Sequence, residues 1–237
     1  MDIAANIERV EERILKACLR SGRKREEITL MGVTKMQPVE AVEKAWNGGL
    51  RCFGESRVQE AAGKFAESKA LLLKKAGMEL HLIGSLQRNK AKSAASLFDC
   101  VQSVDRDSLI VELANSTGRA SPLPVLLEFR TGEDTKSGYA NMDALLRAAG
   151  LAFGCPALRV RGLMTIAPNT SEEEPMRAAF RSLAKAQREL ERAFPVRDGD
   201  QHSWSCLSMG MSGDYEIAIE EGSTLLRIGA AIFGDRT

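Results

Sequence analysis

The stretch Ile28-Thr-Leu-Met-Gly-Val-Thr-Lys35 is the first of the apolar segments that decide the fold. It shows no polar alternation before its end, which is typical of a strand covered on both faces in a parallel sheet. Similar segments recur along the chain. The others are Leu50–Phe53, Glu79–Ile83, Cys100–Val104, Leu123–Phe129, Leu158–Met164, Ser205–Leu207 and Thr224–Ile228. The sequence therefore predicts eight strands.

Helical patterns separate these strands. Between Ile3 and Leu19, apolar residues recur at the helical period among charged ones, which predicts a helix ahead of the first strand. A second helix is predicted from Pro38 to Trp46, with glycines after its end. Longer helical patterns follow at Ser56–Leu73, Arg106–Ser116 and Glu172–Phe194.

Eight strands alternating with helices in 237 residues predict an α/β fold, a (β/α)₈ TIM barrel with an extra N-terminal helix. An open doubly wound sheet is the alternative. Its usual GxGxxG turn is missing, because the first strand runs into Thr34-Lys-Met-Gln-Pro38. The sequence contains no long linker or charge block, so we expect residues 1–237 to form a single domain.

The composition excludes several classes of function. Thirty-three basic and thirty-two acidic residues leave a net charge of +1, so we expect no binding to nucleic acid or to an anionic membrane. No long apolar span or signal peptide is present, which indicates a soluble cytoplasmic protein. The five cysteines form no CxxC pair, and His81 and His202 have no ligand set nearby in the sequence. We therefore expect neither disulfides nor a metal site.

Lys35 ends a buried strand at the rim where a barrel of this type places its chemistry. A lysine that is desolvated on one side and faces a cleft on the other can lose its proton and condense with a carbonyl as a Schiff base. The alternative is a lysine whose amine extends from the strand end into water.

A candidate phosphate site follows the seventh strand. Ser208-Met-Gly-Met-Ser-Gly-Asp214 supplies small residues, hydroxyls and backbone N–H groups ahead of the helical stretch Tyr215–Glu220. The alternative is a helix cap by Ser212 or Asp214.

A second glycine-containing turn, Glu221-Gly-Ser-Thr224, is assigned to the same cradle, with Arg227 as a cation for the phosphate or for a ring nitrogen. For Arg227 the alternative is a salt bridge at the barrel mouth.

An amine after strand one and a phosphate cradle after strands seven and eight are neighbours across a closed barrel, as a phosphorylated aldehyde requires. Pyridoxal 5′-phosphate (PLP) is the common cofactor of that description. Val33, Met164 and Met209 would wall its ring, unless they are plain core. The residues predicted to bind the cofactor are Lys35, Met164, Met209, Gly210, Ser212, Ser223, Thr224, Arg227 and Gly229.

Six separated motifs resemble those of the pyridoxal phosphate homeostasis protein family, in family order. They are Val33-Thr-Lys35 with Pro38, Phe53–Glu60, His81–Lys90, Arg161–Met164, Ser208–Ser212 and Gly222–Gly234. The resemblance runs to Arg236. It implies an alanine-racemase-like barrel of PLP fold type III without the second domain, a cofactor held on a lysine, and no established catalytic turnover.

The resemblance also assigns roles. Lys35 matches the lysine that holds the cofactor, Met164 a residue beside its ring, and Ser212, Arg227 and Gly229 the phosphate side.

The resemblance leaves the roles of two further residues undecided. Ser56 departs from the asparagine that the family usually shows after Gly-Glu, which leaves a contact from that side chain in doubt. Lys136 matches a rim lysine that would receive or release cofactor, with a solvated loop lysine as the alternative.

A racemase on this barrel needs acid and base groups on both faces of the substrate, and the only tyrosines here are Tyr139 and Tyr215. Neither lies in a second domain. We therefore expect a monomeric carrier that buffers PLP and hands it to apo-enzymes, acting indirectly on amino-acid and keto-acid metabolism. A weak PLP-dependent racemase or transaminase and a barrel enzyme acting on a phosphosugar are the alternatives.

Overall fold

Eight parallel strands, each hydrogen-bonded to the next along the chain, close into a barrel when the last pairs with the first. The computed structural model describes residues 2–66, 68–116, 118–132, 137–197 and 199–234, except the side chains of residues 68 and 69. The strands are β1 (Thr29–Val33), β2 (Cys52–Glu55), β3 (Glu79–Leu82), β4 (Cys100–Val104), β5 (Leu123–Glu128), β6 (Leu158–Met164), β7 (Cys206–Ser208) and β8 (Leu225–Ile228). The predicted (β/α)₈ barrel is confirmed.

Helices connect the strands on the outside of the barrel. They are α1 (Ile3–Ser21), α2 (Val39–Asn47), α3 (Val58–Ala66), α4 (Ser68–Lys75), α5 (Ala91–Leu97), α6 (Asp107–Ser116), α7 (Met142–Phe153), α8 (Glu173–Ala193), α9 (Tyr215–Glu220) and α10 (Ala230–Phe233). Short 3₁₀ turns occur at Arg25–Glu27 and Arg88–Lys90. None of the helices in the described ranges has both the length and the apolar character that a membrane crossing requires.

The extra N-terminal helix α1 covers the barrel beside α2, α9 and α10. Asp2 caps its start by accepting a hydrogen bond from the backbone N–H of Ala5 at 3.1 Å, and Gly22 ends it in a left-handed conformation. The side chain of Asn6 donates to the carbonyl oxygen of Ile232 at 2.7 Å, which ties α1 to the last helix.

One predicted helix, Ser56–Leu73, is two helices in the structure. Ala61 and Phe65 lie four residues apart and bury the same face of α3. The buried Ala70 of α4 comes five residues after Phe65, so it cannot continue that stripe. The helices α5 and α7 were not singled out from the sequence.

Alternate strand residues divide the interior into two regions. Outward side chains such as Leu30, Phe53 and Leu226 join the large apolar core under the helices. Inward side chains such as Met31 and Leu225 form small separate clusters inside the barrel. The barrel interior also contains buried polar side chains, among them Gln102, Ser208 and Arg227.

Candidate functional site

Lys35 lies in the turn that follows β1, at the C-terminal mouth of the barrel. The backbone N–H of Gln37 closes this turn by donating to the carbonyl oxygen of Thr34 at 2.9 Å. Met36 has φ 62°, a left-handed conformation that is uncommon for a residue with a side chain. Its backbone N–H donates to the carboxylate of Glu60, which holds the conformation. The half-buried Lys35 side chain thus starts from a backbone fixed on both sides.

A buried ion pair supports this turn from outside the barrel. The ammonium of Lys64 donates to a carboxylate oxygen of Glu55 and to the carbonyl oxygen of Thr34, both at 2.7 Å. The Thr34 hydroxyl donates to the same Glu55 oxygen at 2.8 Å. Burial raises the pKa of Glu55, and Lys64 and Thr34 oppose that rise. Sequence reasoning missed Lys64, because a lysine on an amphipathic helix is usually solvated.

The turns after β7 and β8 approach the same strand end. Gly229 lies against β1, since a Cβ atom at this position would be 3.6 Å from the carbonyl oxygen of Val33. Ser212 accepts a hydrogen bond from the backbone N–H of Ala231 at 3.2 Å through its hydroxyl oxygen. The ends of β7, β8 and β1 therefore meet, and Ser212, Gly229 and Lys35 belong to one mouth.

Gly210 shapes the turn after β7. Its φ is 97°, and an added Cβ would lie 2.7 Å from the Cβ of Ala218 and 3.1 Å from the Cα of Tyr215. Both the backbone conformation and the close packing require glycine here. The carbonyl oxygen of Gly210 accepts from the backbone N–H of Arg227 at 2.9 Å, which fixes the turn to β8.

Arg227 is a buried cation inside the barrel below this mouth. It donates to the hydroxyl oxygen of Ser208 at 2.6 Å and to the carbonyl oxygen of Thr165 at 2.7 Å. Burial lowers the pKa of Arg227 to about 10, against the attraction of Asp214 and Glu128. At neutral pH the guanidinium stays charged, and it is held in one orientation from two strands.

A chain of hydrogen bonds continues from Arg227 into the barrel. The Ser208 hydroxyl donates to the side-chain oxygen of Gln102 at 2.6 Å, and the Gln102 amide nitrogen lies 2.8 Å from Nδ1 of His81. We call His81, Gln102, Ser208 and Arg227 the polar column. Branched apolar residues usually fill a barrel of this size, so the column is a departure in its core. Sequence reasoning missed Gln102, because a glutamine inside an apolar strand carries no positional signal.

Glu128 and Met164 are neighbours in register on β5 and β6, next to Ser208 on β7. Met164 is buried in an inner cluster with Cys100 and Leu126, and its predicted place beside a cofactor ring stays a prediction. Glu128 was not identified from the sequence. It is buried and accepts a hydrogen bond from the hydroxyl of Ser137 at 2.6 Å, and burial raises its pKa.

Ser223 and Thr224 do not join this mouth, which corrects the placement of the second glycine turn. They precede β8, and the carbonyl oxygen of Thr224 accepts from the backbone N–H of Thr29 at the start of β1. Lys35 follows the other end of β1, and Thr29 to Val33 alone spans about 13 Å at a strand's rise. The Ser223 hydroxyl donates to the carbonyl oxygen of Met209 at 2.7 Å, and the Thr224 hydroxyl accepts from the N–H of Leu207 at 2.9 Å. Both hydroxyls bond to the backbone of β7 and of the residue that follows it.

Met209 is also corrected. Its side chain is fully buried in the large core between barrel and helices, because β7 alternates and Ser208 takes the inward position. It therefore does not face the barrel interior.

Two other predicted positions need separate mention. Lys136 lies outside the described residues. Ser56 is half-buried after β2, and its backbone packs so closely on Gly84 that a Cβ there would collide with the Ser56 carbonyl group.

Tyr139 and Tyr215 are both buried, and among the described residues no hydrogen-bond partner meets either phenol oxygen. Burial raises the pKa of both groups.

Comparisons with known proteins identify the family of this chain. The family model of the alanine racemase N-terminal domain matches residues 3–237. A pyridoxal phosphate homeostasis protein of Vibrio cholerae serotype O1 is 41% identical over 239 residues, covering 99% of this chain and 96% of that protein. The chain belongs to the pyridoxal phosphate homeostasis protein family.

Solved structures with the same fold are also known. PipY of Synechococcus elongatus PCC7942, in a structure with PLP bound, is 32% identical and has a TM-score of 0.78, covering 95% of this chain and all of that one (100%). An alanine racemase of Clostridium difficile is 11% identical with a TM-score of 0.75, which shows the shared fold alone. The family resemblance read from the six motifs is confirmed.

Proposed function

We propose that this chain binds pyridoxal 5′-phosphate at the C-terminal mouth through Lys35 and carries it in vitamin B6 homeostasis. The observation that carries the proposal is the contact of Gly229 with Val33, which joins the turns after β7 and β8 to the strand end bearing the lysine. Relatives named for PLP homeostasis and the PLP-bound PipY support it.

The residues at this mouth fit the group. The aldehyde of PLP condenses with an amine with loss of water, and Lys35 is the amine on the fixed turn. The Ser212 hydroxyl oxygen already accepts an N–H, so its hydrogen is left to donate to a phosphate oxygen. Gly229 exposes backbone without a side chain, and Arg227 and Met164 lie inside the barrel below.

We infer that the protein carries the cofactor and does not turn over amino acids. Proton exchange on both faces of a substrate needs a second group opposite the lysine. Both tyrosine hydroxyls are buried, which supports a carrier.

The proposal extends to the setting of the carrier. All five cysteines are free, which favours a reducing compartment such as the cytoplasm. We propose a monomeric single domain over residues 1–237 that delivers PLP transiently to PLP-dependent apo-enzymes.

Reduction followed by mass spectrometry tests the binding proposal. Full-length protein incubated with PLP is treated with borohydride, digested and mapped. We expect visible absorption before reduction and one modified lysine, Lys35. Lys35→Ala should be folded and colourless, whereas Lys24→Ala, an exposed lysine far from the mouth, should behave like wild type. A colourless wild type in excess PLP, or modification elsewhere, would refute the proposal.

A transfer assay tests the carrier function. The loaded protein is mixed with a PLP-dependent apo-enzyme and a trap for free aldehyde. Directed delivery predicts recovery of enzyme activity that exceeds recovery from the same amount of free PLP under the same trap. Equal recovery argues for passive release, and amino-acid turnover lost in Lys35→Ala would instead indicate an enzyme.

A further inference from the structure

The N-terminal mouth of the barrel brings together three metal-binding side chains from two paired strands. Cys52 starts β2, and Glu79 and His81 lie two residues apart on β3, so all three share the inward face at its lower edge. The sulfur of Cys52 lies 3.8 Å from Nε2 of His81, and a carboxylate oxygen of Glu79 lies 3.5 Å from the same nitrogen. One ligand atom from each residue falls within 4.8 Å of the other two.

The two distances that meet at Nε2 of His81 are close to two edges of a tetrahedral zinc site. With Zn–S near 2.3 Å, Zn–N near 2.05 Å and Zn–O near 2.0 Å, tetrahedral angles give S···N of about 3.6 Å and N···O of about 3.3 Å. The observed distances exceed these values by about 0.2 Å each. A small rotation of the side chains would bring the donor atoms to these distances. A thiolate, an imidazole and a carboxylate are also a donor set that zinc accepts.

The surroundings leave room for the ion and a further ligand. A cavity of about 440 Å³ opens at this mouth, and Glu79, His81, Cys100, Cys206 and Arg161 are among its lining residues. The Glu79 side chain is 65% exposed, so an ion can enter from solvent, whereas Cys52 and His81 are buried. Because Glu79 and His81 line the cavity, we expect water in it to supply the fourth ligand.

The ring of His81 is already oriented by the polar column. A metal-binding histidine normally donates its second N–H to an oxygen. Gln102 lies 2.8 Å from Nδ1 of His81, and turning its amide by 180° presents the side-chain oxygen to Nδ1–H. The amide nitrogen then faces the Ser208 hydroxyl oxygen, which can accept a second hydrogen bond.

We propose that Cys52, Glu79 and His81 bind a zinc-class divalent cation at the N-terminal mouth, opposite the proposed PLP site. On binding, the thiol proton of Cys52 passes to water, and the neutral His81 carries its proton on Nδ1. The sequence led us to expect no metal site, because Cys52 and Glu79 stand 27 positions apart and only strand pairing unites them. This proposal does not depend on PLP binding.

Equilibrium dialysis of the full-length protein against Zn²⁺, with metal content read by mass spectrometry, tests the proposal. We expect one bound equivalent, with affinity at least about tenfold lower in Cys52→Ser and His81→Gln. Cys155→Ser is the matched control, because this thiol follows α7, packs against the core outside the barrel and should leave binding unchanged. Co²⁺ substituted for Zn²⁺ should give a thiolate charge-transfer band that Cys52→Ser removes.

Cys52→Ser and His81→Gln change buried residues and can prevent folding. Glu79→Gln is the variant to test in that event, because the Glu79 side chain is largely exposed. Weaker Zn²⁺ binding in this folded variant supports the site. No bound Zn²⁺ in the wild type, no thiolate band with Co²⁺, or affinity unchanged by all three substitutions would overturn it. Binding that instead depends on Cys100 or Cys206 alone would also overturn the ligand assignment.

Discussion

The two mouths of the barrel are built in different ways. At the C-terminal mouth, hydrogen bonds and tight glycine contacts hold the strand ends: Lys64 and Glu55 brace the turn of Lys35, and Gly210 leaves no space for a methyl group. At the N-terminal mouth, the strand starts surround a cavity of about 440 Å³. This cavity is lined by two thiols, Cys100 and Cys206, and burial raises the pKa of both.

This difference separates two kinds of binding. A cofactor with an aldehyde and a phosphate needs groups held at fixed positions relative to one another, which braced turns provide. A single ion needs a few donor atoms and an open approach, which the cavity provides. If the C-terminal mouth is as fixed as its contacts indicate, substitutions there should lower stability or PLP affinity. If the two mouths are independent, a substitution at one should leave binding at the other unchanged.

Removing the brace under Lys35 should have the largest effect. Lys64→Met leaves the carboxylate of Glu55 buried without its cation, and we expect a loss of about 3–5 kcal/mol in unfolding free energy. Urea unfolding measures this loss. The double variant Lys64→Met with Glu55→Gln should recover most of it, because no buried charge is left unpaired. A single variant as stable as wild type would mean that the turn is not braced.

The glycine turn after β7 offers a matched pair of substitutions. Gly210→Ala puts a methyl 2.7 Å from the Cβ of Ala218 at a positive φ, which should cost about 2–4 kcal/mol. Gly213→Ala, three residues later, meets no atom within 4 Å and should change stability little. Thermal unfolding of both variants gives the comparison. Similar losses in the two would contradict a close fit at Gly210.

A third pair compares the two mouths directly. Ser212→Ala removes one donor to the phosphate, and we expect PLP affinity to fall about 10- to 100-fold. Ser223→Ala removes a buried hydroxyl near the other mouth, so it should cost about 1 kcal/mol of stability while leaving PLP affinity unchanged. Spectroscopic PLP titration and urea unfolding separate the two outcomes. An equal loss of PLP affinity in Ser223→Ala and Ser212→Ala would contradict the claim that only Ser212 lies at the PLP-binding mouth.

The smallest expected effect concerns Glu128. Since burial raises its folded pKa, the protonated carboxyl is favoured in the native state, and the resulting stability is present below the unfolded value of 4.5. That stability is lost as pH rises from 4.5 through the folded pKa. Glu128→Gln keeps an acceptor for Ser137 but cannot ionise, so its unfolding free energy should fall less over this pH range. Parallel pH profiles would show that Glu128 does not titrate there.

The barrel could be predicted from the sequence because its strands are covered on both faces and read as apolar runs. Strand ends were less certain: the run beginning at Leu50 yields a strand only from Cys52 to Glu55. Glu55, at the carboxyl end of that strand, forms a buried ion pair with Lys64 of α3. The pair forms only because α3 packs where it does. A contact of that kind cannot be read from spacing along the chain.

The candidate site was partly predictable by the same reasoning. Lys35, Ser212 and Gly229 follow their strands, and the rule that chemistry lies at carboxyl ends places them together. Ser223 and Thr224 precede β8, so the same rule would have excluded them. Period-two alternation likewise would have turned Met209 outward once Ser208 was taken as inward. The polar column depends on contacts between β3, β4, β7 and β8, which only the closed barrel reveals.

The polar column couples the tautomer of His81 to the direction in which the Ser208 hydroxyl donates. As it stands, the hydroxyl hydrogen of Ser208 is taken up by the Gln102 oxygen. If His81 moves its proton to Nδ1 and the Gln102 amide turns over, that oxygen faces His81 and the Ser208 hydrogen is released. Arg227 can only donate, so it cannot reabsorb the change. The tautomer of a ring at one end of the barrel thereby sets whether a hydroxyl near the other end has a hydrogen to offer.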